Sequence, residues 1–245
     1  MSPATPTAYG IVVVGASWGG LNALSRLVAD LPADFPMPLV AVQHRSKESD
    51  HLLAQLLQDR SALRVREVED KEPIAPGHVY VAPPDYHTLV DLIADVPHFS
   101  LNVDPPVRYS RPSIDVTFMA AADAFGGRAV GVVLTGANED GAAGLRRIAE
   151  RGGYAIVQDP ATAEIRTMPQ AALTAVPRAE VLPLDRIGER LAALGARRHP
   201  VLQASRVTAA AQQATDAAAS AAAAAAASGA ATLARREAAG GSGKP

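Results

Sequence analysis

Residues 11–20, IVVVGASWGG, join a run of β-branched residues to a turn rich in glycine. A helical pattern begins directly after the turn, at Leu21. This succession of strand, turn and helix predicts that an α/β fold starts here. The turn suits two chemistries, because it either holds a phosphate or presents Ser17 as a nucleophile. The spacing of the glycines in the turn distinguishes a phosphate-binding site from a serine nucleophile.

The glycine spacing does not match a nucleotide site. A dinucleotide site has G-x-G-x-x-G between strand and helix. From Gly15 the chain has G-A-S-W-G-G, so that Ser17 stands where the second glycine is required. The P-loop pattern, G-x-x-x-x-G-K-[ST], does not occur in the sequence. A nucleotide-binding protein is therefore disfavoured.

Residues 15–19 match G-x-S-x-G instead, a pattern in which a tight turn lifts a serine hydroxyl above the sheet. Backbone N–H groups at the start of the following helix then stabilise the oxyanion of an acyl-transfer intermediate. The alternative is that Ser17 only caps the helix from Leu21. The five residues alone leave both interpretations open.

Strand-like and helix-like runs alternate along most of the chain. The apolar runs IVVVG, MPLVAVQH, AVGVVLTG and YAIVQD are separated by helical patterns, which predicts a mainly parallel sheet covered on both faces. Three short runs, LRVREVED, GHVYVAPP and HTLVDLI, have no helix between them and predict a small antiparallel insert at one sheet edge. A further helix is expected over residues 114–126.

Composition predicts one ordered domain with two irregular ends. With 245 residues, 48% of them hydrophobic, the chain can bury one core of α/β size. Residues 1–8 are small, polar and proline-containing, and predict a disordered lead. Residues 196–245 are rich in alanine without a large apolar stripe, and predict a disordered or transiently helical tail. The ordered domain is expected over residues 9–195.

The residue inventory excludes several classes of protein. The absence of cysteine excludes disulfides, thiolate metal sites and a cysteine nucleophile. A formal net charge of -2 with scattered arginines does not indicate nucleic acid as a partner. No apolar run approaches the roughly 18 residues of a membrane span, and no secretory signal is present. We expect a cytoplasmic protein that is not inserted in a membrane and uses neither metal nor cofactor.

A serine nucleophile requires a base, and the carboxyl ends of the predicted strands supply one. His44 ends the second apolar run, and Asp140 follows the third, in GANEDG. Carboxyl ends of parallel strands share one sheet edge, so both side chains are expected near Ser17. Asp140 would orient the imidazole, although Asp-Gly is also a strong turn pair. His87, beside the predicted insert, is a further candidate for the site.

Six separated motifs carry a family resemblance: GASWGG, VQH, GHVYVAPPDYH, RPSIDVTF, VVLTGANEDGAAGL and QDPATAEIRTMPQAAL. Over about residues 9–195 the chain resembles the catalytic domain of CheB, the protein-glutamate methylesterase of bacterial chemotaxis. The resemblance implies a doubly wound, Rossmann-like sheet with Ser17 as nucleophile, His44 as general base and acid, and Asp140 as its orienting residue. It also implies hydrolysis of glutamyl γ-methyl esters on methyl-accepting chemoreceptors, with deamidation of glutamine in some members.

The resemblance extends to the surroundings of the site. Ala137 occupies a position that is often methionine in the family and whose backbone N–H is expected to help bind the oxyanion. Trp18 replaces a smaller residue beside the nucleophile, and Met168 is expected to line the cleft. Arg111 is a candidate for binding acidic groups that flank a receptor glutamate, and His87 is a second candidate for contact with the substrate.

The chain departs from the family in two respects. Substitutions beside the expected triad, Trp18, Arg45 and Ala137, are compatible with a non-catalytic binding or regulatory module that has kept the fold. Only about eight residues precede the first strand, so we expect a stand-alone catalytic domain without the family's receiver domain. Control by a separate response regulator, control by expression level and absence of control are all open.

Overall fold

The computed structural model describes residues 9–46 and 52–196, and within them the chain forms nine strands and six α-helices. The predicted lead, and the predicted tail beyond residue 196, lie outside the described residues. The strands are β1 Ile11–Ala16, β2 Leu39–Gln43, β3 Arg64–Glu67, β4 His78–Val81, β5 His87–Ile93, β6 Val96–Asn102, β7 Ala129–Val133, β8 Tyr154–Gln158 and β9 Glu180–Leu182. The helices are α1 Gly20–Ala29, α2 Leu52–Gln58, α3 Ile114–Phe125, α4 Ala142–Glu150, α5 Thr167–Ala175 and α6 Leu184–Gly195.

Seven of the strands form one parallel sheet in the order β3-β4-β2-β1-β7-β8-β9. Strand β1 lies at the centre, between β2 and β7, and every residue of it is buried. Its side chains alternate between two hydrophobic cores, with Val12 and Val14 in one and Ile11 and Val13 in the other. Burial on both faces explains why β1 is a continuous apolar run rather than an alternating one. The predicted α/β class with a mainly parallel sheet is confirmed.

Helices cover both faces of the sheet. Helices α1, α2 and α6 contribute to the first core, and α3, α4 and α5 contribute to the second. The predicted helix over residues 114–126 is confirmed as α3, which buries Ile114, Phe118 and Phe125. Its first turn is capped by Ser113, whose hydroxyl accepts a hydrogen bond from the Val116 N–H at 3.5 Å. None of the described helices is long and apolar enough to cross a membrane.

The predicted antiparallel insert exists, but it is smaller than expected. Strands β5 and β6 pair antiparallel as a separate hairpin, and Val90 and Phe99 pack into the core on the α3 side. The runs LRVREVED and GHVYVAPP were also assigned to the insert, and that prediction is wrong. They form β3 and β4, which extend the main sheet in parallel. The connection over residues 68–77 contains no helix, which removed the usual sequence signal of a parallel crossover.

Candidate active site

Ser17 lies in the turn between β1 and α1. The N-cap of α1 is Gly19, with φ of 77°, which has no side chain to cap the helix. A side chain at Gly19 would meet Glu164, because its Cβ would lie 2.6 Å from Glu164 Oε2. Ser17 does not cap α1, so the alternative interpretation of this serine is wrong. Its Oγ lies 3.2 Å from His44 Nδ1 instead.

His44 follows β2 directly, beside the end of β1. In the parallel pairing Ala16 lies opposite Gln43, and the His44 N–H donates to the Ala16 carbonyl at 3.0 Å. The backbone ladder therefore brings residue 44 next to the turn that carries Ser17. The other ring nitrogen, Nε2, lies 2.8 Å from Asp140 Oδ2. The imidazole thus stands between the serine hydroxyl and the carboxylate.

The carboxylate of Asp140 is fully buried and ionised. Burial by itself raises the pKa of Asp140, but the hydrogen bonds from His44 and from the backbone N–H groups of Asp115 and Ile114 outweigh it and hold the pKa below its ordinary value. An ionised carboxylate only accepts hydrogen bonds, so the proton between them belongs to His44 Nε2. The Nδ1 lone pair then faces the hydroxyl of Ser17.

Asp140 is held by α3, not by the helix that follows it. Its carboxylate accepts hydrogen bonds from Ser113 Oγ at 2.9 Å, from the Ile114 N–H at 2.7 Å and from the Asp115 N–H at 3.0 Å. The N-cap of the following helix α4 is Gly141, which has no side chain of its own to cap the helix. The positive end of α3 therefore stabilises the negative charge of Asp140.

Trp18 and Ala137, two of the predicted oxyanion and cleft residues, are the candidates for binding the oxyanion through their backbone N–H groups. Among the described residues, no partner accepts a hydrogen bond from the N–H of Trp18 or of Ala137. The Gly136 N–H is already bound to the Ile165 carbonyl at 3.1 Å. The loop at Gly136 passes directly against the nucleophile, because a Cβ at Gly136 would lie 3.0 Å from Ser17 Cβ. Trp18 itself is 66% exposed.

Met168 packs beneath the site rather than in an open cleft. It is fully buried at the start of α5, and its thioether presses on Gly136, where an added Cβ would lie 2.5 Å from Met168 Cε. The Met168 N–H also donates to the Gly136 carbonyl at 2.9 Å. Met168 therefore supports the loop that carries the Ala137 N–H.

The two predicted substrate-binding residues occupy different positions. Arg111 lines a cleft of about 450 Å³ beside His44, and its guanidinium is bound to Asp85 Oδ1 and to the carbonyls of Val103 and Asp104. His87 is buried behind the site. Its Nδ1 accepts from the Ser113 N–H at 3.2 Å and its Nε2 donates to the Pro105 carbonyl at 3.2 Å. Both ring nitrogens of His87 are thus occupied away from the cleft.

A turn over residues 107–110, which no sequence motif indicated, forms part of the wall of the same cleft. Val107 and Ser110 exchange backbone hydrogen bonds, and the two residues between them, Arg108 and Tyr109, have φ of 49° and 63°. This turn leaves Tyr109 fully exposed at the cleft. Ser110 Oγ lies 3.5 Å from His44 Nδ1, on the side of the ring that faces Ser17.

Asp115 is a second buried carboxylate that the sequence analysis missed. Its Oδ1 accepts from the N–H groups of Gly141 and Gly144 at 2.9 and 2.7 Å. Burial, together with the nearby charge of Asp140, raises the pKa of Asp115. An acidic residue in a first helical turn is common, so nothing in RPSIDVTF indicated that this one reaches another helix.

Within residues 9–46 and 52–196, no group of three or more His, Asp or Glu side chains is arranged to hold a metal ion.

Comparison with known proteins gives the family. The model of the CheB methylesterase family matches residues 12–191. A putative protein-glutamate methylesterase/protein-glutamine glutaminase of Leptospira interrogans is 44% identical over 181 residues, which cover 74% of this chain and 92% of that protein. The protein-glutamate methylesterase FrzG of Myxococcus xanthus is 41% identical over 186 residues, covering 76% of this chain and 55% of FrzG.

A solved structure agrees with these matches. The crystal structure of the Thermotoga maritima CheB methylesterase catalytic domain superposes with a TM-score of 0.74 at 34% identity, and the match covers 76% of this chain and 99% of that domain. The residues that the family model matches include Ser17, His44 and Asp140. The chain belongs to the CheB methylesterase family.

Proposed function

We propose that the chain is a serine esterase that hydrolyses glutamyl γ-methyl esters on chemoreceptor proteins, acting in the cytoplasm through an acyl-enzyme at Ser17. The observation that carries this proposal is the continuous row of hydrogen bonds from Ser17 Oγ through His44 to Asp140, at 3.2 and 2.8 Å. This row supplies a nucleophile, a base and an ionised orienting group in contact. Such an arrangement suits acyl transfer without a metal or a cofactor.

Acylation follows from these contacts. Ser17 Oγ attacks the ester carbonyl while its proton passes to His44 Nδ1, and Asp140 stabilises the imidazolium that forms. The negative charge on the carbonyl oxygen is met by the unpaired N–H groups of Trp18 and Ala137. Collapse of the tetrahedral intermediate breaks the bond to the methoxy group, and His44 returns the proton so that methanol leaves. The glutamyl group stays esterified to Ser17.

Deacylation repeats the same steps with water. His44 takes a proton from the water as it attacks the acyl carbonyl, and then protonates Ser17 Oγ as the ester bond breaks. The product is a free glutamate side chain. The same acyl-enzyme forms from a glutamine if ammonia replaces methanol as the leaving group. The name of the Leptospira relative, which includes a glutaminase activity, supports testing both substrates.

The receptor segment is proposed to bind across the cleft beside His44. Two exposed aromatic rings, Trp18 next to the nucleophile in the sequence and Tyr109 in the wall of the cleft, offer apolar contact area to a receptor helix. Arg111 is proposed to maintain the shape of the cleft, because its guanidinium is already bound to Asp85 and two carbonyls. Selectivity then depends on the aromatic pair more than on a deep pocket.

The proposal is tested by release of methanol from a methylated receptor. We expect the purified protein to release methanol in proportion to the receptor esters lost, and the Ser17→Ala variant to release none. A matched control is Ser25→Ala, which alters a serine of α1 outside the site and should leave the rate unchanged. Methanol release by Ser17→Ala at the unmodified rate would exclude the mechanism. No release by the unmodified protein would favour the non-catalytic alternative.

A further inference from the structure

Gln43, the last residue of β2, inserts its side chain between the nucleophile turn and the base. Its Nε2 donates one hydrogen bond to the Ser17 carbonyl at 2.7 Å and another to the His44 carbonyl at 3.0 Å. A single carboxamide thus binds the backbone of both reacting residues. The mechanism described above does not use this side chain.

The orientation of the carboxamide is determined by its partners. Both partners are carbonyl oxygens, which accept hydrogen bonds, so the nitrogen of Gln43 must face them. Its Oε1 is consequently buried, with no hydrogen-bond partner among the described residues. A buried acceptor without a donor lowers stability. The unpaired Oε1 of Gln43 therefore lowers the stability of the fold, while Nε2 of the same side chain forms two hydrogen bonds, to the carbonyls of Ser17 and His44.

The start of α1 is shaped around this side chain. A Cβ at Gly20 would lie 1.9 Å from Gln43 Oε1, so only glycine leaves room for the carboxamide in its present position. The Gly20 N–H also donates to the Ser17 carbonyl at 2.8 Å. The Ser17 carbonyl is thus fixed by one bond from the helix and one from Gln43. Fixing that carbonyl limits the directions in which the Ser17 side chain can point.

We propose that Gln43 is a positioning residue for the hydrolysis, which holds the Ser17 hydroxyl within reach of His44 Nδ1. The inference rests on the proposed function, because it assumes that Ser17 reacts and that His44 takes its proton. Loss of both Nε2 bonds frees the turn and the base to separate, whereas Gln43 itself is not one of the residues that line the cleft beside His44. The chemical step therefore slows and substrate binding does not change.

The experiment compares Gln43→Met with a matched variant, Gln58→Met. Gln58 also donates through Nε2 to two carbonyls, those of Ser61 and Leu63, and it accepts from the Val65 N–H, but it lies at the end of α2 beside β3. Methionine keeps the length of the side chain and removes the hydrogen bonds. The readouts are kcat and KM for a small soluble ester, the rate at which a fluorophosphonate labels Ser17, and the melting temperature.

For Gln43→Met we expect kcat and the labelling rate to fall by about 100-fold, the loss associated with displacement of reacting groups by roughly 1 Å, while KM changes little. The melting temperature should stay near that of the unmodified protein, because the buried unpaired oxygen is removed together with the two bonds. Gln58→Met should lower the melting temperature and leave kcat unchanged. A merely structural role for Gln43 would give the pattern of Gln58→Met instead.

Two further variants keep the test decisive. Gly20→Ala displaces the carboxamide without removing it and should also lower kcat at unchanged KM, which covers the case in which Gln43→Met does not fold. Ser17→Ala separates the two claims. If Ser17→Ala is inactive and Gln43→Met reacts at the unmodified rate, the inference about Gln43 is wrong and the proposed function stands. If Ser17→Ala remains active, the proposed function itself fails.

Discussion

Asp140, which precedes α4, caps α3, and Asp115, which lies in α3, caps α4. Asp140, which immediately precedes the Gly141 N-cap of α4, accepts hydrogen bonds at the start of α3, and Asp115 in α3 accepts them at the start of α4. The two carboxylates fix the relative position of the helices and thereby the position of Asp140 Oδ2, which accepts the hydrogen bond from His44 Nε2. The pKa values of the two carboxyls shift in opposite directions. For Asp140 burial is outweighed by the hydrogen-bond donors, which lower the pKa, whereas burial and the charge of Asp140 raise the pKa of Asp115.

We predict that Asp140→Asn lowers kcat for a small ester by about 10³ to 10⁴-fold, because an amide no longer holds the proton on Nε2 and the wrong nitrogen faces Ser17. KM should change much less. The measurement is steady-state kinetics above and below neutral pH. Activity within about tenfold of the unmodified protein across that range would contradict the assigned role of Asp140.

The lowered pKa of Asp140 also predicts a pH dependence of stability. A carboxyl whose pKa is lower in the folded state stabilises that state above its unfolded pKa of about 3.9, and the contribution disappears as the pH falls through the folded pKa. The free energy of unfolding of Asp140→Asn should therefore approach that of the unmodified protein as the solution is acidified. Denaturant titrations at several acidic pH values measure this convergence. A difference between the two proteins that is independent of pH would contradict it.

The opposite sign is expected for Asp115. Its raised pKa means that stability falls as the pH rises from about 3.9 through the folded pKa, because the folded state disfavours the charge. Asp115→Asn keeps an oxygen acceptor for Gly141 and Gly144 and removes the charge. Asp115→Asn should become more stable relative to the unmodified protein as the pH rises through this range. Asp115→Ala loses the hydrogen bonds from both the Gly141 and the Gly144 N–H, and its free energy of unfolding should fall by about 1–3 kcal/mol.

Tyr109 offers a test of how the receptor is recognised. Its ring is fully exposed and its φ of 63° is unfavourable for any residue with a side chain. Tyr109→Gly should therefore leave the protein as stable as before, or more stable by up to about 1 kcal/mol. It should raise KM for methylated receptor and leave a small ester unaffected. Met119→Ala, which removes another exposed apolar side chain on α3, is the control; equal effects of the two changes would exclude a specific role for Tyr109.

The sequence was sufficient to predict how Ser17, His44 and Asp140 come together. Strands β1, β2 and β7 are long apolar runs, and the carboxyl ends of adjacent parallel strands meet at one edge, so the three side chains were expected there before any distance was known. Strands β3 and β4 were misassigned because each has four residues and no helix joins them. Short runs between proline and glycine carry no signal that distinguishes a parallel edge from a hairpin.

The hydrogen bonds that hold the triad residues in place could not be predicted from the sequence, for a different reason. Gln43 lies next to His44 in VQH, but the Ser17 carbonyl that it binds is 26 residues away. Asp115 in α3 likewise binds the N–H of Gly141 at the start of α4, 26 residues away. Such bonds depend on the packing of side chains from separate elements, and no periodicity within one element encodes them. The turn at Tyr109 has no glycine, so its left-handed backbone was not indicated by its residues.

The most direct test of the account is the identification of the covalent adduct. The protein is treated with a fluorophosphonate, and intact mass and peptide mapping give the number and position of the modified residues. We predict one adduct per chain, on Ser17, with a labelling rate that falls by orders of magnitude in His44→Ala, because the hydroxyl then has no base. Absence of an adduct, or an adduct on another residue with Ser17 unmodified, would contradict an acyl-enzyme at Ser17.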